Sequence, residues 1–333
     1  MSKTRVLGVL RIPRSSYYER HNPRPRVENP MPHKDRTPIT ALTKKERDQI
    51  CAYLDMFPDD GVDAVYNRMF NQGIYIASVR TWYRVAKENG KLLSQRHRRR
   101  RKPRHCGVSR ATPRLRATHP GQVICWDVTW IYGYYEGEAF PAYIFLDLYS
   151  RKIVYGVVAP REKTEVADFI VRKIKEDIPT LTTLHSDNGS MMTSKKMATT
   201  CKKLGITQSF IRPSVSNDNA FCESVHSTLK SRIYYPKAFE TVADAQEWLT
   251  GFVEKYNDTP HGGLGGYTPN EVFEGSWHTT YTNREKGLAD YYTLHPDRRP
   301  NKHKTAGMPP VETTINLTPT PQQPTSINQL LTA

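Results

Sequence analysis

The chain has 333 residues, 37% of them hydrophobic, and a formal net charge of +16. This length predicts two or three domains, and the lean apolar content fits folded domains joined by polar linkers. No run of 18 apolar residues exists and the N-terminus lacks a signal-peptide core, which excludes a membrane span and a leader; the five scattered cysteines, Cys51, Cys106, Cys125, Cys201 and Cys222, read as free thiols in a reducing compartment and exclude a disulfide framework.

The charge is unevenly placed. Residues 1–90 hold 16 Lys/Arg and 10 Asp/Glu, residues 91–120 hold 11 and none, and residues 121–333 hold 22 and 23. The basic excess belongs to the first third, as expected of a polyanion-binding front end and not of a surface charged for solubility.

In chain order, residues 1–41 are an entry segment whose 21–40 stretch is a Pro- and Arg-rich linker. Residues 42–91 predict a small helical domain. Thr43 caps a helix from Lys44 to about Met56, with Glu46 in the capping-box position. Val62, Val65, Tyr66, Met69 and Phe70 recur at helical spacing and Gly73 closes that helix. Ser78 caps a third, Val79 to Asn89. A short Gly-containing turn between the last two gives a helix-turn-helix pattern. Val79, Trp82, Tyr83 and Ala86 are expected to face the core. Arg80, Arg84 and Lys87 lie on another face, either solvated or set against DNA.

Residues 92–118 form a basic linker. Its run Arg98, Arg99, Arg100, Arg101 and Lys102 would repel itself as a helix, but extended it can follow a phosphate backbone. A nuclear-localisation run is the alternative reading.

Residues 119–275 predict an α/β core. Gln122–Ile131, Ala139–Leu148 and Lys152–Val158 are three strands in an antiparallel meander. Thr164 caps a helix to Asp177 with a stripe of Val166, Phe169, Ile170 and Ile174. Strand 181–184, helix 194–204, strand 206–211 and helix 219–232 follow, giving a mixed sheet with helices on its faces. Residues 276–333 form a C-terminal segment and tail, with a strand-like stretch over 312–317.

Two strands carry acids at their ends or interiors: Asp127 inside Val123–Ile131 and Asp187 after Leu181–Leu184. A charge in an apolar strand needs a partner, and a divalent cation is the usual one. Glu223, on a helix with Phe221, Val225 and Leu229, can supply a third carboxylate. Asp147 is a decoy, since Ser150 and Arg151 follow closely enough to pair with it. Asp218 reads as a helix cap. His185 and Ser186 have no nucleophile elbow, which leaves a hydrolase triad unsupported. Lys230, seven residues after Glu223 on the same face, is either a phosphate contact or a surface lysine.

Asp127, then Asp187, then 35 intervening residues, then Glu223 is the spacing of the retroviral integrase and transposase superfamily. The flanking text, WDVTWI, AYIFLDLYSRKIVYGVV, LHSDNGS and NDNAFCESVHSTLK, resembles the OrfB-type transposases of the bacterial insertion-sequence family numbered three, over roughly residues 40 to 320. The resemblance implies a ribonuclease H-like catalytic core preceded by an all-α helix-turn-helix domain. It implies catalytic and metal-binding roles for Asp127, Asp187 and Glu223 around two Mg²⁺ ions, with Mn²⁺ able to substitute, Asp127 touching both. It also implies DNA strand cleavage and strand transfer at the element's terminal inverted repeats. The implied partners are double-stranded DNA, a second copy of the chain, and an OrfA product or frameshift fusion, in a cytoplasmic, nucleoid-associated setting. A domesticated DNA-binding protein and a structure-specific nuclease of the same fold are the alternatives. Two departures stand out. The zinc module of retroviral integrases is missing, and the closing motif Tyr256–Pro269 lacks the arginine that usually precedes Pro-His.

Overall fold

The computed structural model describes residues 2–23, 29–32, 38, 40–93, 112–213, 215–231, 235–298 and 305–317; the run of Arg98, Arg99, Arg100, Arg101 and Lys102 lies outside them. Residues Met1–Leu42 form one compact unit and Thr43–Ala333 another. The first contains helices α1 (Lys3–Val9) and α2 (Arg14–His21), with Tyr17 stacked on His21 one turn away.

The second unit opens with α3 (Lys44–Met56), α4 (Val62–Asn71) and α5 (Val79–Glu88). The expected capping box is present: Thr43 Oγ accepts from the Glu46 amide and the Glu46 carboxylate accepts from the Thr43 amide. Each satisfies a donor that a helix start otherwise leaves orphaned. Ile50, Leu54, Val65, Met69, Trp82 and Val85 form the buried interior of this bundle. Val85 takes the place expected for Tyr83. That ring is 41% exposed, and its hydroxyl donates to Asp63. Trp82, Val85 and Ala86 make the tighter i, i+3, i+4 stripe, which leaves Tyr83 a quarter-turn outside it.

The sheet comprises β2 (Val123–Tyr132), β3 (Ala139–Asp147), β4 (Ile153–Val158), β5 (Thr183–Ser186) and β6 (Thr207–Phe210), interleaved with α6 (Thr164–Asp177) and α7 (Lys195–Lys203). A short β1 (Leu115–Ala117) precedes them. Strand order is β4-β3-β2-β5-β6. The β2, β3 and β4 neighbours are antiparallel, whereas β5 runs parallel to both β2 and β6. The centre of the sheet is covered on both faces, which is why β3 reads as an almost unbroken apolar run. Ile124, Trp126, Tyr143 and Phe145 meet α6 and α7 residues on one face. Cys125, Ile144 and Leu146 meet α8 (Ala220–Ser231) and α9 (Val242–Asn257) on the other. This is the ribonuclease H-like arrangement.

The expected stripe of α6 is rotated. Ala167, Ile170, Val171 and Ile174 face the sheet, while Phe169 is 61% exposed. Those four occupy i, i+3, i+4 and i+7, and Phe169 falls outside that arc. On α8 the buried positions are Cys222, Val225 and Leu229. Phe221, expected among them, is half-buried beneath the Arg151 guanidinium at 3.5 Å.

The C-terminal segment folds back onto the helical bundle through α10 (Pro269–Glu274) and α11 (Trp277–Leu294). Arg284 on α11 is only 1% exposed. It donates to Asn71 Oδ1 at 2.7 Å, to the Gly265 carbonyl at 2.9 Å and to the Gly266 carbonyl at 2.7 Å, and lies 3.9 Å over the Tyr267 ring. A buried guanidinium is tolerable only with its donors satisfied in this way. The helices touch at glycine: a Cβ on Gly287 would stand 2.1 Å from the Gly73 carbonyl oxygen. Finally β7 (Thr313–Ile315) pairs antiparallel with β1, Leu115 opposite Ile315.

Candidate active site

The parallel register of β2 and β5 sets Cys125 opposite His185. Asp127 lies two residues further along β2, and Asp187 is the first residue past the end of β5. Asp127 therefore shares the face of Cys125, and Asp187, at the end of the neighbouring strand, is near enough for its charge to act on Asp127. Helix α8 lies against that face, with Cys222 in the same core as Cys125. Glu223, the next residue, is on its solvent-exposed side.

The Val128 amide donates to Asp127 Oδ1 at 2.9 Å, and the Gly189 amide donates to Asp187 Oδ1 at 2.9 Å. The Asn188-Gly189 turn thus holds the second acid at the strand end. Burial pushes the Asp127 carboxyl up to about 7, and the charges of Asp187 and Glu223 add to the rise. The Val128 hydrogen bond and Lys230 oppose it. Asp187, Glu223 and Lys230 therefore all act on Asp127. Among the described residues no three His, Cys, Asp or Glu side chains are closed to metal-ligand spacing. Glu223 stands on the exposed face of α8. The donor set is all carboxylate oxygen, short of positive charge and half-buried, which fits a hard divalent cation such as Mg²⁺.

The other acids are satisfied structurally. Asp147 is fully buried and accepts from the Gly121 amide at 2.8 Å and from the Ser150 amide and hydroxyl at 2.8 and 2.6 Å. This is the hairpin pairing expected of it. Asp218 does not cap α8. It lies in a 3₁₀ turn, fully buried, and accepts from Arg212 Nε at 2.9 Å, Arg212 Nη2 at 2.8 Å and Asn316 Nδ2 at 2.8 Å. Burial alone would raise the Asp218 carboxyl, but these donors hold it down to about 2. Its carbonyl oxygen in turn faces His185 Nε2 at 2.9 Å, while His185 Nδ1 faces Ser209 Oγ at 3.0 Å. His185 is a strut between β5, β6 and the start of α8, and no hydrolase triad forms around it.

One neighbour was not read from the sequence. His226, one turn after Glu223 on α8, places Nδ1 3.6 Å from Asp127 Oδ2. Burial, with Lys230 adding to it, lowers its basicity to about 4, so the imidazole is neutral at pH 7. The available signal was its i+3 position from Glu223. Arg80, Arg84 and Lys87 are all exposed on α5, within the helical bundle and away from α8 in sequence.

A family model described as Integrase core domain matches residues 117–216, which contain Asp127 and Asp187. A second of the same description matches residues 204–269, which contain Glu223. The chain is 31% identical over 174 residues to a transposase for an insertion sequence element of Lactococcus lactis subsp. lactis, spanning 50% of this chain and 68% of that protein. The chain belongs to the insertion-sequence transposases with an integrase core. A second transposase, for an insertion sequence element of Shigella sonnei, is 26% identical over 168 residues, spanning 50% of this chain and 56% of that protein. Among solved structures, the catalytic core domain of bovine immunodeficiency virus integrase is similar over 48% of this chain and 99% of its own, with 26% identity and a TM-score of 0.38. The segments of this transposase-family chain that match carry all three acids of the site. Among the described residues, no helix is long and apolar enough to cross a membrane.

Proposed function

We propose that this chain is a Mg²⁺-dependent polynucleotidyl transferase of the OrfB type, cutting and joining DNA at the ends of its insertion sequence. The observation that supports this reading is Asp127 inside β2 with Asp187, at the end of the neighbouring parallel strand, and Glu223 of α8 both acting electrostatically on it. Asp127, Asp187 and Glu223 would hold the divalent ions. Bound there, the ions would supply Lewis-acid polarisation of the scissile phosphate and activation of a water or a DNA 3′-hydroxyl. The chain's own contribution is placement: backbone amides fix two of the acids, and Lys230 brings a positive charge beside them for the phosphate. Two copies of the chain on DNA, and an OrfA partner or fusion, belong to the same reading.

The direct test is joining of a duplex carrying the element's end to target DNA by the purified chain in Mg²⁺. Joined products that vanish with chelator are expected. A chain that binds the duplex but neither cuts nor joins it with Mg²⁺ or Mn²⁺ is a binding protein. Cleavage of branched duplexes regardless of sequence identifies a nuclease instead.

Two further results are expected. Replacing Arg98, Arg99, Arg100 and Arg101 by alanine weakens binding to every DNA sequence. It flattens the slope of log affinity against log salt by up to about 3.6, roughly 0.9 per phosphate released. An unchanged slope takes the run off the DNA. Base choice must come from another element, because phosphate contacts carry no sequence information. Helix α5, second of the helix-turn-helix pair, presents Arg80 near its N-terminus and Arg84 one turn on. An arginine–guanine pair discriminates by about 1–3 kcal/mol. Arg80→Ala or Arg84→Ala therefore reduces preference for end DNA over random DNA by about tenfold or more in competition binding. Equal loss on both DNAs would reduce this face to a phosphate grip.

A further inference from the structure

Helix α8 carries two polar side chains that act on Asp127, three residues apart: Glu223 and His226. Only the first has an evident task. The His226 side chain is 14% exposed; its Nδ1 lies 3.6 Å from Asp127 Oδ2, and its Nε2 is buried with no hydrogen-bond partner. Buried polar atoms of native proteins are nearly always paired. An apolar residue here would fill the space without stranding a nitrogen, so packing alone gives no reason for a histidine.

The geometry around Asp127 supplies one. Its Oδ1 is already held, by the Val128 amide at 2.9 Å. Its Oδ2 is the free end of the carboxylate, and His226 Nδ1 faces it. We propose that His226 is a positioning residue for Asp127: its Nδ1 stands 3.6 Å from Oδ2, just outside hydrogen-bond reach, and a small ring rotation lets its N–H donate there and, with the Val128 amide, fix the plane of the carboxylate for metal binding. Two donors on two different oxygens remove the rotation about χ2 that one donor leaves. Because His226 and Glu223 share one helix, a shift of α8 moves both together. Partners of this kind, behind the metal-ligating groups, typically change metal affinity by about 10–100-fold when removed.

The inference rests on the metal-site reading of Asp127, and the experiment separates the two. The full chain is titrated with Mn²⁺ by calorimetry, with thermal unfolding followed in parallel, for wild type, Asp127→Asn, His226→Ala, His226→Asn and His226→Gln. An asparagine amide reaches about where Nδ1 stands, whereas a glutamine amide reaches about where Nε2 stands. His226→Ala and His226→Gln are expected to weaken Mn²⁺ binding about tenfold or more, and His226→Asn to stay within about threefold of wild type, with all three folded. Folded His226→Ala binding Mn²⁺ as wild type overturns the proposal, as does equal behaviour of the Asn and Gln variants. If Asp127→Asn itself binds Mn²⁺ unchanged, the metal site falls first and the proposal with it. Should His226→Ala not fold, the Asn–Gln contrast still decides.

Discussion

If Asp127, Asp187 and Glu223 hold the metal ions as proposed, Asp127→Asn, Asp187→Asn and Glu223→Gln are each expected to eliminate cleavage and strand transfer while leaving duplex affinity within about twofold. Lewis-acid stabilisation by a metal supplies several kcal/mol of the barrier reduction. Losing about 4 kcal/mol of that slows the step about a thousandfold, below detection in a gel assay of joined products. The binding half of the prediction follows from the sequence: the basic excess sits before residue 121, far from the acids in the chain. The substitution at Asp127 has a second expected signature. Its carboxyl is pushed up to about 7 by burial and by the charges of Asp187 and Glu223, so it is held at a cost in the metal-free chain. Asp127→Asn keeps an acceptor for the Val128 amide and removes the repulsion. Its thermal unfolding midpoint without metal is therefore expected to be equal to or above that of wild type. A variant that retains Mg²⁺-dependent joining removes its residue from the site, and one that unfolds early shows a structural role.

Asp218→Ala destabilises the chain by about 3 kcal/mol, at the lower end of the range for breaking a buried pair because Arg212 is partly open to solvent. The carboxylate collects the Arg212 guanidinium, the Arg212 amide at 3.0 Å and Asn316, and its loss leaves these donors around an empty space. The pH dependence follows from the sign of the shift. The Asp218 carboxyl is depressed to about 2, below the roughly 3.9 of an unfolded chain, so its contribution is complete above about pH 4 and is lost as pH falls toward 2. Denaturant melts of wild type and Asp218→Asn are expected to converge over that window. A gap that stays constant down to pH 2.5 would mean that the Arg212 contact contributes nothing. Because this turn leads directly into α8, Asp218→Ala should also slow joining by loosening the seat of Glu223.

The three-stranded meander was legible because long β-branched and aromatic runs broken by turn residues admit few other readings. The Thr43–Glu46 box and the closing Gly73 marked helix ends through local backbone chemistry, and the structure has both. The acids Asp127 and Asp187 were legible because a carboxylate in an apolar strand demands an explanation. What periodicity mishandled was facing. Phe169 and Tyr83 are large and apolar enough to be assigned inward, yet smaller neighbours complete a better stripe and leave them outside. Asp218 was read from its place before a helix, where capping is the common role; its partners Arg212 and Asn316 come from a loop and from 98 residues away. Arg284 gave no signal at all. A buried guanidinium looks like any helix-surface arginine until the carbonyls of Gly265 and Gly266 come to meet it.

The pairing of β1 with β7 joins positions 200 apart in the chain, Leu115 to Ile315. Closing a loop of that length costs on the order of 5 kcal/mol of chain entropy, so a ribbon three residues long on each side is an effect of the folded core and not a cause of it. It is also late. At roughly 5–20 residues per second, β1 emerges on the order of ten seconds or more before its partner has been synthesised. Asn316, the residue after that partner, completes the donors around Asp218 at the start of α8. A nascent chain can therefore display all three acids well before the last bolt behind Glu223 is in place. Chains cut short before residue 313 would keep the whole acid triad and lack the anchor that steadies it.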